Sequence, residues 1–354
     1  MKHVEGHLEI LDRGFGFLRS IEKNFKPEPE DTFVPAPVIH KYNLPEGSYI
    51  EGGGVPGDGK NRNLKLAQVD KISGLAIEAF AALESLHDRT SIDPLELFRL
   101  TKDAGDTTGK ALDLVVPMGR GQRGLIISPP KSGKTTLLKH IAAAIIANHP
   151  DAEVFILLVD ERPEEVTDFK RGIKDAHVLY SSSDQSVSQH MRITRIAMNT
   201  AIRLAETGRD AVVLIDSLTR MSRAFNVETR SHGRTISGGL AANALEIPRR
   251  IFGAARNIEH GGSLTVIATI LVDTGSRMDD IIYQEFKGTG NMDLVLSRKC
   301  AEQRLWPAID INQSGTRKEH LLLDKEALKT VIEVRRKLAG QDEITALTTL
   351  LELL

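Results

Sequence analysis

The length and charge of the chain limit what it can be. Its 354 residues exceed the usual size of one domain, so we expect one small and one large domain. A hydrophobic share of 41% and a charged share of 27% are those of an ordinary soluble globular protein. The formal net charge of -2 shows no overall basic excess, so any contact with nucleic acid must use local patches.

Cysteine content and hydropathy predict a cytoplasmic protein. The only cysteine, Cys300, excludes an internal disulfide and fits a reducing compartment. The first seven residues have no apolar core of the kind that a secretory signal needs. The longest apolar stretch, near residues 264–272, is far shorter than the ~20 residues of a membrane helix. We therefore expect no membrane partner.

Residues 1–72 have the pattern of a small β-barrel. Polar and apolar residues alternate from His7 to Leu11, and Phe15, Phe17 and the segment 32–34 look like further strand pieces. Residues 24–30 and 51–63 are rich in proline, glycine and charge, which is typical of loops. Short strands with glycine-rich corners predict a barrel.

A linker is predicted over residues 73–110, and a larger α/β domain over residues 111–354. In the larger domain, short apolar runs alternate with helical patterns. Strands are expected at 125–127, 154–159, 211–215 and 264–271, and helices at 134–147 and 185–206. This alternation predicts a nucleoside-triphosphatase core built on a parallel sheet.

The segment from Ser128 to Thr135 resembles a phosphate-binding loop. It follows a predicted strand and opens a predicted helix, whose free N–H groups can surround phosphates. Lys134 would neutralise the β- and γ-phosphates, and the Thr135 hydroxyl would bind Mg²⁺. Ser128 replaces the usual first glycine, so a chance Gly-Lys-Thr is the alternative. The strand–loop–helix context argues against that alternative.

Two acidic strand ends complete the predicted nucleotide site. Asp216 follows the strand 211–215 and can hold the hydration shell of Mg²⁺, although a turn-forming aspartate is the alternative. Glu161 ends the preceding strand and can activate the attacking water, unless it is a solvated acid at a helix start. Four arginines are candidates for a finger that reaches a neighbouring subunit's γ-phosphate, although surface ion pairing explains any one of them equally well: Arg162, Arg220, Arg304 and Arg317.

An aromatic and basic strand in the small domain favours RNA binding. Arg13, Phe15, Phe17 and Arg19 alternate with other residues, so we expect all four on one strand face. Two stacking rings between two cations suit single-stranded RNA. The alternative is a phenylalanine pair in the barrel core, which the glycines on the opposite face disfavour.

Two segments near the ATPase core are rich in glycine and hydroxyl groups. They cover residues 226–239 and 287–291. Flexible loops with a cation suit a central pore that holds a phosphodiester backbone without reading bases. Plain turns remain the alternative for both segments.

Six stretches together resemble the bacterial Rho family of transcription termination factors. They lie at residues 120–126, 129–135, 160–166, 252–257, 285–291 and 314–319. The stretches Asp-Glu-Arg-Pro-Glu-Glu-Val and Phe-Lys-Gly-Thr-Gly-Asn are very specific, and the similarity runs from about Gly6 to the end of the chain. The family also carries a non-glycine residue where this chain has Ser128, so that departure supports the resemblance.

The resemblance implies a RecA-like P-loop ATPase core preceded by an OB/cold-shock-like RNA-binding barrel. It further implies a homohexameric ring with ATP and Mg²⁺ bound between subunits. ATP hydrolysis would pull single-stranded RNA through the ring in the 5′-to-3′ direction and dissociate RNA polymerase. The residues implied to bind RNA are Phe15, Phe17, Arg19, Asp31 and Phe33 in the barrel, and Arg234, Lys287 and Gly288 in the pore.

Roles in the nucleotide site also follow from the resemblance. Glu161 would activate water, Arg317 would be the finger in trans, and Asp216 would complete the metal site with Thr135. Arg162 and Arg220 would sense the nucleotide. The residues implied to surround the phosphates are Pro130, Lys131, Ser132, Gly133, Lys134, Thr135 and Thr136.

The sequence departs from the family pattern in several places. The helical subdomain that usually precedes the barrel is expected to be missing, and Arg234 replaces the usual lysine. Phe33 stands where tyrosine is frequent, so stacking should survive. Asn61 and Asn63 replace an acid and an aromatic residue, which puts cytosine preference in doubt. The alternatives are a non-motor RNA-binding protein with a degenerate ATPase and a subunit similar to those of rotary ATPases.

Overall fold

The computed structural model describes residues 1–57, 63–230, 239–241 and 243–354. Two β-sheets dominate it, one near the N-terminus and one in the larger domain. The N-terminal strands are β1 Lys2–Ile10, β2 Gly16–Arg19, β3 Thr32–Val34, β4 Tyr49–Pro56, β5 Leu64–Ile72 and β6 Leu75–Ala76. The later strands are β7 Ser91–Ile92, β8 Leu97–Phe98, β9 Met118–Gly119, β10 Arg123–Ser128, β11 Ala152–Glu161, β12 His177–Ser182, β13 Asp210–Asp216, β14 Arg256–Ile258, β15 Ser263–Leu271, β16 Met292–Val295 and β17 Gly315–Thr316.

Helices flank both sheets. They are α1 Ala36–Lys41, α2 Ile77–Ala81, α3 Thr107–Val115, α4 Lys134–Asn148, α5 Pro163–Gly172, α6 Val187–Glu206, α7 Leu218–Arg230, α8 Glu246–Gly253, α9 Arg277–Lys287, α10 Arg298–Glu302, α11 Lys325–Leu338 and α12 Glu343–Leu353. No helix in these described ranges is long and apolar enough to cross a membrane.

The first sheet closes into a five-stranded barrel. Strand β1 pairs antiparallel with β2 and β4, β4 pairs with β5, and β3 closes the ring by pairing with both β2 and β5. Helix α1 lies between β3 and β4, as in an OB fold. Leu8, Leu18, Val34, Ile50 and Leu66 fill the barrel interior. The predicted OB-like barrel is confirmed.

The second sheet is largely parallel, in the order β12-β11-β13-β15-β10-β16-β17. Helices α4 and α5 pack on one face, and helices α6 to α9 pack on the other. Because both faces are covered, the central strands consist almost entirely of buried apolar residues. Strands β10, β11 and β13 end at Ser128, Glu161 and Asp216, which places these residues at one edge of the sheet.

The predicted RecA-like core is confirmed, and each predicted strand and helix of this domain is present. The observed strands extend the predictions by at most two residues at either end, because periodicity identifies an element better than its boundary. The domain division at residues 72 and 110 stays a prediction. Within residues 73–110, strand β7 pairs with β14 of the large sheet, and α3 begins at Thr107.

The barrel is docked directly on the large domain. Phe25, in the loop after β2, is fully buried within the apolar cluster that covers one face of the large sheet. The side chain of Asn24 donates to the Tyr180 carbonyl and accepts from the Tyr180 N–H, both at 2.8 Å. Gly47 has φ +87°, and a side chain there would collide with the backbone of α6 at Asn199. These contacts hold the barrel against α6 and β12.

Candidate nucleotide site and RNA-binding face

The loop between β10 and α4 has the geometry of a phosphate-binding loop. Lys131 and Gly133 adopt left-handed backbone conformations, with φ of +64° and +87°. The Ser128 hydroxyl lies 2.8 Å from the Ser132 hydroxyl, which donates to the Pro129 carbonyl at 2.8 Å. These bonds brace the loop from inside and explain why a serine serves at position 128. The loop leads into the N-terminus of α4, where free N–H groups attract anions.

Lys134 connects the loop to the acidic end of β13. Its ammonium group donates to both carboxylate oxygens of Asp216, at 2.7 and 2.6 Å. Asp216 is fully buried and also accepts from the Thr269 hydroxyl at 2.8 Å. Thr135 follows on the first turn of α4. The side chains with the greatest affinity for phosphate and for a hard cation are therefore gathered beside the loop.

Glu161 is buried at the end of β11 with one carboxylate oxygen unbonded. Oε1 pairs with Arg220 at 3.1 Å, whereas Oε2 lies 3.9 Å from the Lys134 ammonium and has no hydrogen-bond partner. Burial, assisted by the charge of Asp216, raises the pKa of Glu161 to about 7. A carboxylate with a free oxygen and a pKa near neutrality can accept a proton from water. The reading of Glu161 as a solvated helix-start acid is wrong, because the side chain is 0% exposed.

The two predicted sensor arginines occupy different environments. Arg220 on α7 binds Glu161 and also donates to the Asp160 carbonyl. Arg162 precedes α5 with an exposed side chain, and its N–H donates to Glu161 Oε1 at 3.2 Å. Arg220 therefore holds the carboxylate, and Arg162 faces outward next to it.

Arg317 lies at the opposite edge of the sheet. Its N–H donates to the Asn291 carbonyl at 2.9 Å, and Asn291 precedes β16 at the level where β10 begins. The phosphate-binding loop begins where β10 ends, about 17 Å away at roughly 3.3 Å per residue over its six residues. Arg317 therefore cannot serve the loop of its own chain. Arg304 is exposed in the turn after α10.

Trp306 lies beside the phosphate-binding loop and was not among the predicted site residues. It is the only tryptophan, it is 42% exposed, and its ring lies so close to Gly133 that a side chain there would overlap it. With Thr108, Thr136 and His140 it lines a pocket beside the loop. The flat, accessible ring suits stacking against a nucleotide base. The single tryptophan of the sequence was the available signal, but its neighbours Leu305 and Pro307 give no indication that it lies beside the loop.

Three phenylalanine rings form an accessible cluster on the barrel, here called the phenylalanine face. Phe15, Phe17 and Phe33 are only partly buried, and their ring centroids lie 5.5 to 6.0 Å apart. None of the three belongs to the barrel's core cluster, and Phe17 and Phe33 are direct cross-strand neighbours. The reading of Phe15 and Phe17 as a core pair is therefore wrong. Open rings of this kind suit base stacking.

The prediction that Arg13 and Arg19 flank these rings from one strand face is wrong for Arg13. Arg13 lies in the turn before β2 and is not on the strand. Arg19 is buried, donates to Glu9 at 2.7 Å, pairs with Asp31, and places its guanidinium 4.7 Å from the Phe17 ring centroid. Arg19 and the buried Asp31 thus support the ring from behind. Alternation along the chain gives the strand face but cannot show that two carboxylates already hold the arginine.

The second predicted pore segment is not a loop at its start. Lys287 is the last residue of α9, and Gly288 caps that helix. The helix continues to Lys287 because Ile282 and Phe286 bury one face. Asn291 is held by Gln122 at 2.6 Å. The expectation of a loop is therefore wrong for Lys287, whose side chain is exposed, whereas residues 288–291 lie outside helices and strands.

Some predicted residues lie outside the described ranges. Arg234 and Asn61 are among them, so most of the first pore segment and half of the predicted base pocket are not described. Residues 226–230 of that segment belong to α7, so the expectation of a loop is wrong there. Asn63 is described and donates to the Asp31 carbonyl at 3.2 Å. It therefore lies next to the phenylalanine face, as expected for a residue of that pocket.

Comparison with known families divides the chain as its geometry does. Residues 4–78 match the family described as "Rho termination factor, RNA-binding domain". Residues 109–316 match the family described as "ATP synthase alpha/beta family, nucleotide-binding domain". The transcription termination factor Rho of Chromobacterium violaceum is 45% identical over 347 residues, which cover 97% of this chain and 82% of that protein. The chain belongs to the Rho family.

Other Rho proteins are similarly close. The protein of Cereibacter sphaeroides is 47% identical over 94% of this chain and 79% of its own length, and that of Aquifex aeolicus is 45% identical over 99% and 81%. Among solved structures, a prototypical type III secretion ATPase of pathogenic bacteria aligns with a TM-score of 0.62 at 25% identity, covering 70% of both chains. The assembled ATPase EscN of enteropathogenic E. coli aligns at 0.60 and 25%, covering 70% of this chain and 58% of EscN. This Rho-family chain therefore joins an RNA-binding domain to a P-loop ATPase domain.

Proposed function

We propose that the protein is a homohexameric, RNA-stimulated ATPase that moves 5′ to 3′ along single-stranded RNA, unwinds RNA–DNA hybrids and dissociates RNA polymerase in the cytoplasm. One observation carries the proposal. The same chain has an accessible stacking face and a nucleotide site in which the buried Glu161 has a pKa of about 7. The position of Arg317 supports a ring, because this arginine lies too far from the phosphate-binding loop of its own chain to act there.

Hydrolysis would proceed by in-line attack of water on the γ-phosphorus of ATP. The free oxygen of Glu161 accepts one proton of the attacking water while the new P–O bond forms. The bond from the γ-phosphorus to the bridging oxygen breaks, and ADP and phosphate leave. Lys134 and the neighbour's Arg317 stabilise the negative charge on the transferred group. Arg220 keeps the Glu161 carboxylate in place at 3.1 Å.

A magnesium ion fits the residues at this edge. A carboxylate from Asp216 and a hydroxyl from Thr135 are hard oxygen ligands, and Mg²⁺ usually takes one or two such groups with water and substrate phosphates. No cluster of three or more histidine, cysteine or acidic side chains that could hold a metal occurs among the described residues. When bound, the ion would neutralise charge on the β- and γ-phosphates.

The ring of Trp306, beside the phosphate-binding loop, would stack on the adenine of ATP.

The RNA contacts divide between two places. The phenylalanine face would hold bases by stacking, with Arg19 and Asp31 supporting the rings. Arg234, Lys287 and Gly288 are proposed to contact the RNA backbone in the pore. This division corresponds to the proposed domains at residues 1–72 and 111–354.

The proposal is tested by ATP turnover with and without homopolymer RNAs. We expect RNA to stimulate turnover, and we expect Lys134→Ala to lower it by on the order of 10²–10³ or more while barrel binding of RNA is unchanged. Native mass measurement should give a hexamer. A tailed RNA–DNA hybrid should be unwound only when the single-stranded RNA tail is on the 5′ side. An ATP turnover rate that does not change when RNA is added, or a protein that stays monomeric, would refute the proposal.

A further inference from the structure

The phenylalanine face is connected to the ATPase domain by a buried chain of charged contacts. Arg19, which lies behind Phe17, donates through Nε to Glu9 at 2.7 Å. The same glutamate receives Arg192 of α6, whose Nε and Nη2 reach the two carboxylate oxygens at 2.5 and 2.7 Å. Glu9 is 0% exposed, although it lies on a barrel strand. One carboxylate thus joins a cation of the RNA-binding barrel to a cation of the ATPase domain.

Glu9 is ionised in this environment. Burial alone would raise the pKa of Glu9, but hydrogen bonds and charge from Arg192 and Arg19 outweigh burial and hold it below its ordinary value. The second partner of Arg19 is Asp31, which is also buried. Arg19 therefore binds both Glu9 and Asp31, and Arg192 binds Glu9. A change at one arginine must alter the bonds of the other.

Helix α6 carries this contact toward the catalytic edge. His190, two residues before Arg192, is buried and lies 3.8 Å from the carboxylate of Asp160. Asp160 adjoins Glu161 in the chain, and its carbonyl accepts from Arg220, the same arginine that binds Glu161. A small displacement of α6 therefore acts on the residues that position the general base. Regular helices transmit such displacements as rigid units.

RNA would act on this chain at its outer end. A base stacked on Phe17 approaches the guanidinium of Arg19 behind the ring, and the phosphate beside that base attracts the same charge. If Arg19 moves toward RNA, Glu9 loses the hydrogen bond from Arg19 and keeps only those from Arg192. The ion pair between Glu9 of the barrel and Arg192 of α6 then strengthens.

On the basis of the proposed RNA-stimulated ATPase, we propose that Glu9 and Arg192 are positioning residues that couple RNA on the barrel to Glu161 through α6. They touch neither RNA nor nucleotide. Burial of the Phe25 ring and the two hydrogen bonds between Asn24 and Tyr180 also hold the barrel, and Arg192 itself donates to the Phe25 carbonyl at 2.5 Å. The pair therefore also contributes to attachment, and a control contact between the barrel and α6 is needed to separate attachment from coupling.

The chain offers a matched control on the same helix. Arg195, three residues after Arg192, also contacts a barrel glutamate, since its Nε lies 3.1 Å from Glu46. This pair is more exposed, with 48% of the Arg195 side chain accessible, and neither member contacts Arg19. Both pairs join barrel to α6, but only the Glu9 pair is linked to the phenylalanine face. Arg192→Met and Arg195→Met differ in that link.

The test compares three quantities in the full-length wild type, Arg192→Met and Arg195→Met. They are binding of a short pyrimidine oligoribonucleotide by fluorescence anisotropy, turnover without RNA, and turnover at saturating RNA. For Arg192→Met we expect about a tenfold loss of RNA-stimulated kcat, a typical size for coupling between sites, with oligonucleotide affinity and basal turnover nearly unchanged. For Arg195→Met we expect all three to remain close to wild type.

Two results would overturn the proposal. One is full RNA stimulation in Arg192→Met, and the other is an equal loss in both variants, which would assign the effect to docking in general. If thermal denaturation shows that Arg192→Met is not folded, Arg192→Lys is tested in its place. Lysine keeps the positive charge but cannot form the bidentate contact with Glu9. Partial loss of stimulation in Arg192→Lys supports the coupling, and full stimulation refutes it. A wild type without RNA stimulation would instead refute the proposed function.

Discussion

The phenylalanine face and the nucleotide site are built in opposite ways. The three rings of the face come from a span of nineteen residues, Phe15 to Phe33; Phe17 and Phe33 lie on the adjacent strands β2 and β3, and Phe15 immediately precedes β2. The nucleotide site gathers Lys134, Glu161, Asp216 and Trp306 from across the large domain. The difference teaches that a surface for stacking needs only local strand geometry. A catalytic site needs a whole sheet, whose parallel strand ends bring distant residues together.

The proposed nucleotide site includes Arg317 of a neighbouring subunit, and this proposal predicts the largest effect. Arg317→Ala should lower turnover by on the order of 10³–10⁵, the usual contribution of an arginine finger. The loss should leave RNA binding by the phenylalanine face unchanged. Steady-state ATPase assays with saturating RNA measure it.

Mixing subunits separates action in trans from action in cis. A ring that combines Arg317→Ala and Lys134→Ala subunits contains some interfaces with an intact loop and an intact finger. Turnover should therefore reappear when the two inactive proteins are mixed. If no activity returns although mixed rings form, the finger acts within its own chain, contrary to its place at the far edge of the sheet.

The phenylalanine face should respond locally and leave basal catalysis alone. Phe17→Ala should weaken RNA binding by about 1–3 kcal/mol, because one stacked base is lost. Phe17→Tyr keeps the ring and serves as the matched control. Binding is measured by anisotropy with a short oligoribonucleotide, and turnover without RNA should not change. Equal weakening by both substitutions would contradict stacking.

The raised pKa of Glu161 predicts a pH dependence confined to the nucleotide site. Below about pH 7 the carboxyl is protonated and cannot accept a proton, so kcat/KM for ATP should fall about tenfold per pH unit. Above pH 7 it should level off, and RNA affinity should not follow the same curve. A flat profile between pH 5.5 and 7 would show that Glu161 is not the base.

The same shift has a consequence for stability. Because the folded protein holds this proton more tightly than the unfolded chain does, the stabilising contribution of the neutral form is lost as pH rises through 7. Glu161→Gln should therefore raise the thermal midpoint more at pH 8 than at pH 5. Calorimetry at the two pH values measures this difference, and the reverse order would contradict the direction of the shift.

The smallest expected effect concerns the base of the nucleotide. Trp306→Ala should raise the KM for ATP by roughly two- to tenfold, equivalent to about 0.5–1.5 kcal/mol of aromatic contact. Trp306→Phe should restore most of that loss. Both substitutions should leave kcat and RNA binding nearly unchanged. A KM that is insensitive to Trp306→Ala would remove this ring from the nucleotide site.

Local patterns were enough to predict the fold class, the barrel, the phosphate-binding loop and the acidic strand ends. A loop between a strand and a helix is specified by adjacent residues, and buried strands are recognised in the sequence as apolar runs. Glu161 and Asp216 could be placed because the ends of parallel strands meet at one edge. The roles of Arg162, Arg220 and Arg317 came only from the resemblance to Rho.

Only the tertiary structure decided which side chains are free to act. Arg19 is buried between Glu9 and Asp31, and Arg192 reaches Glu9 from more than 180 residues away in the chain. Trp306 meets Gly133 only because α10 and the turn after it fold back toward the loop. Burial and ion pairing depend on neighbours distant in sequence, and composition records the residue type without its partner. The sequence alone determined the fold class and the combination of an RNA-binding barrel with an ATPase domain. Tertiary packing determined which contacts join the two sites.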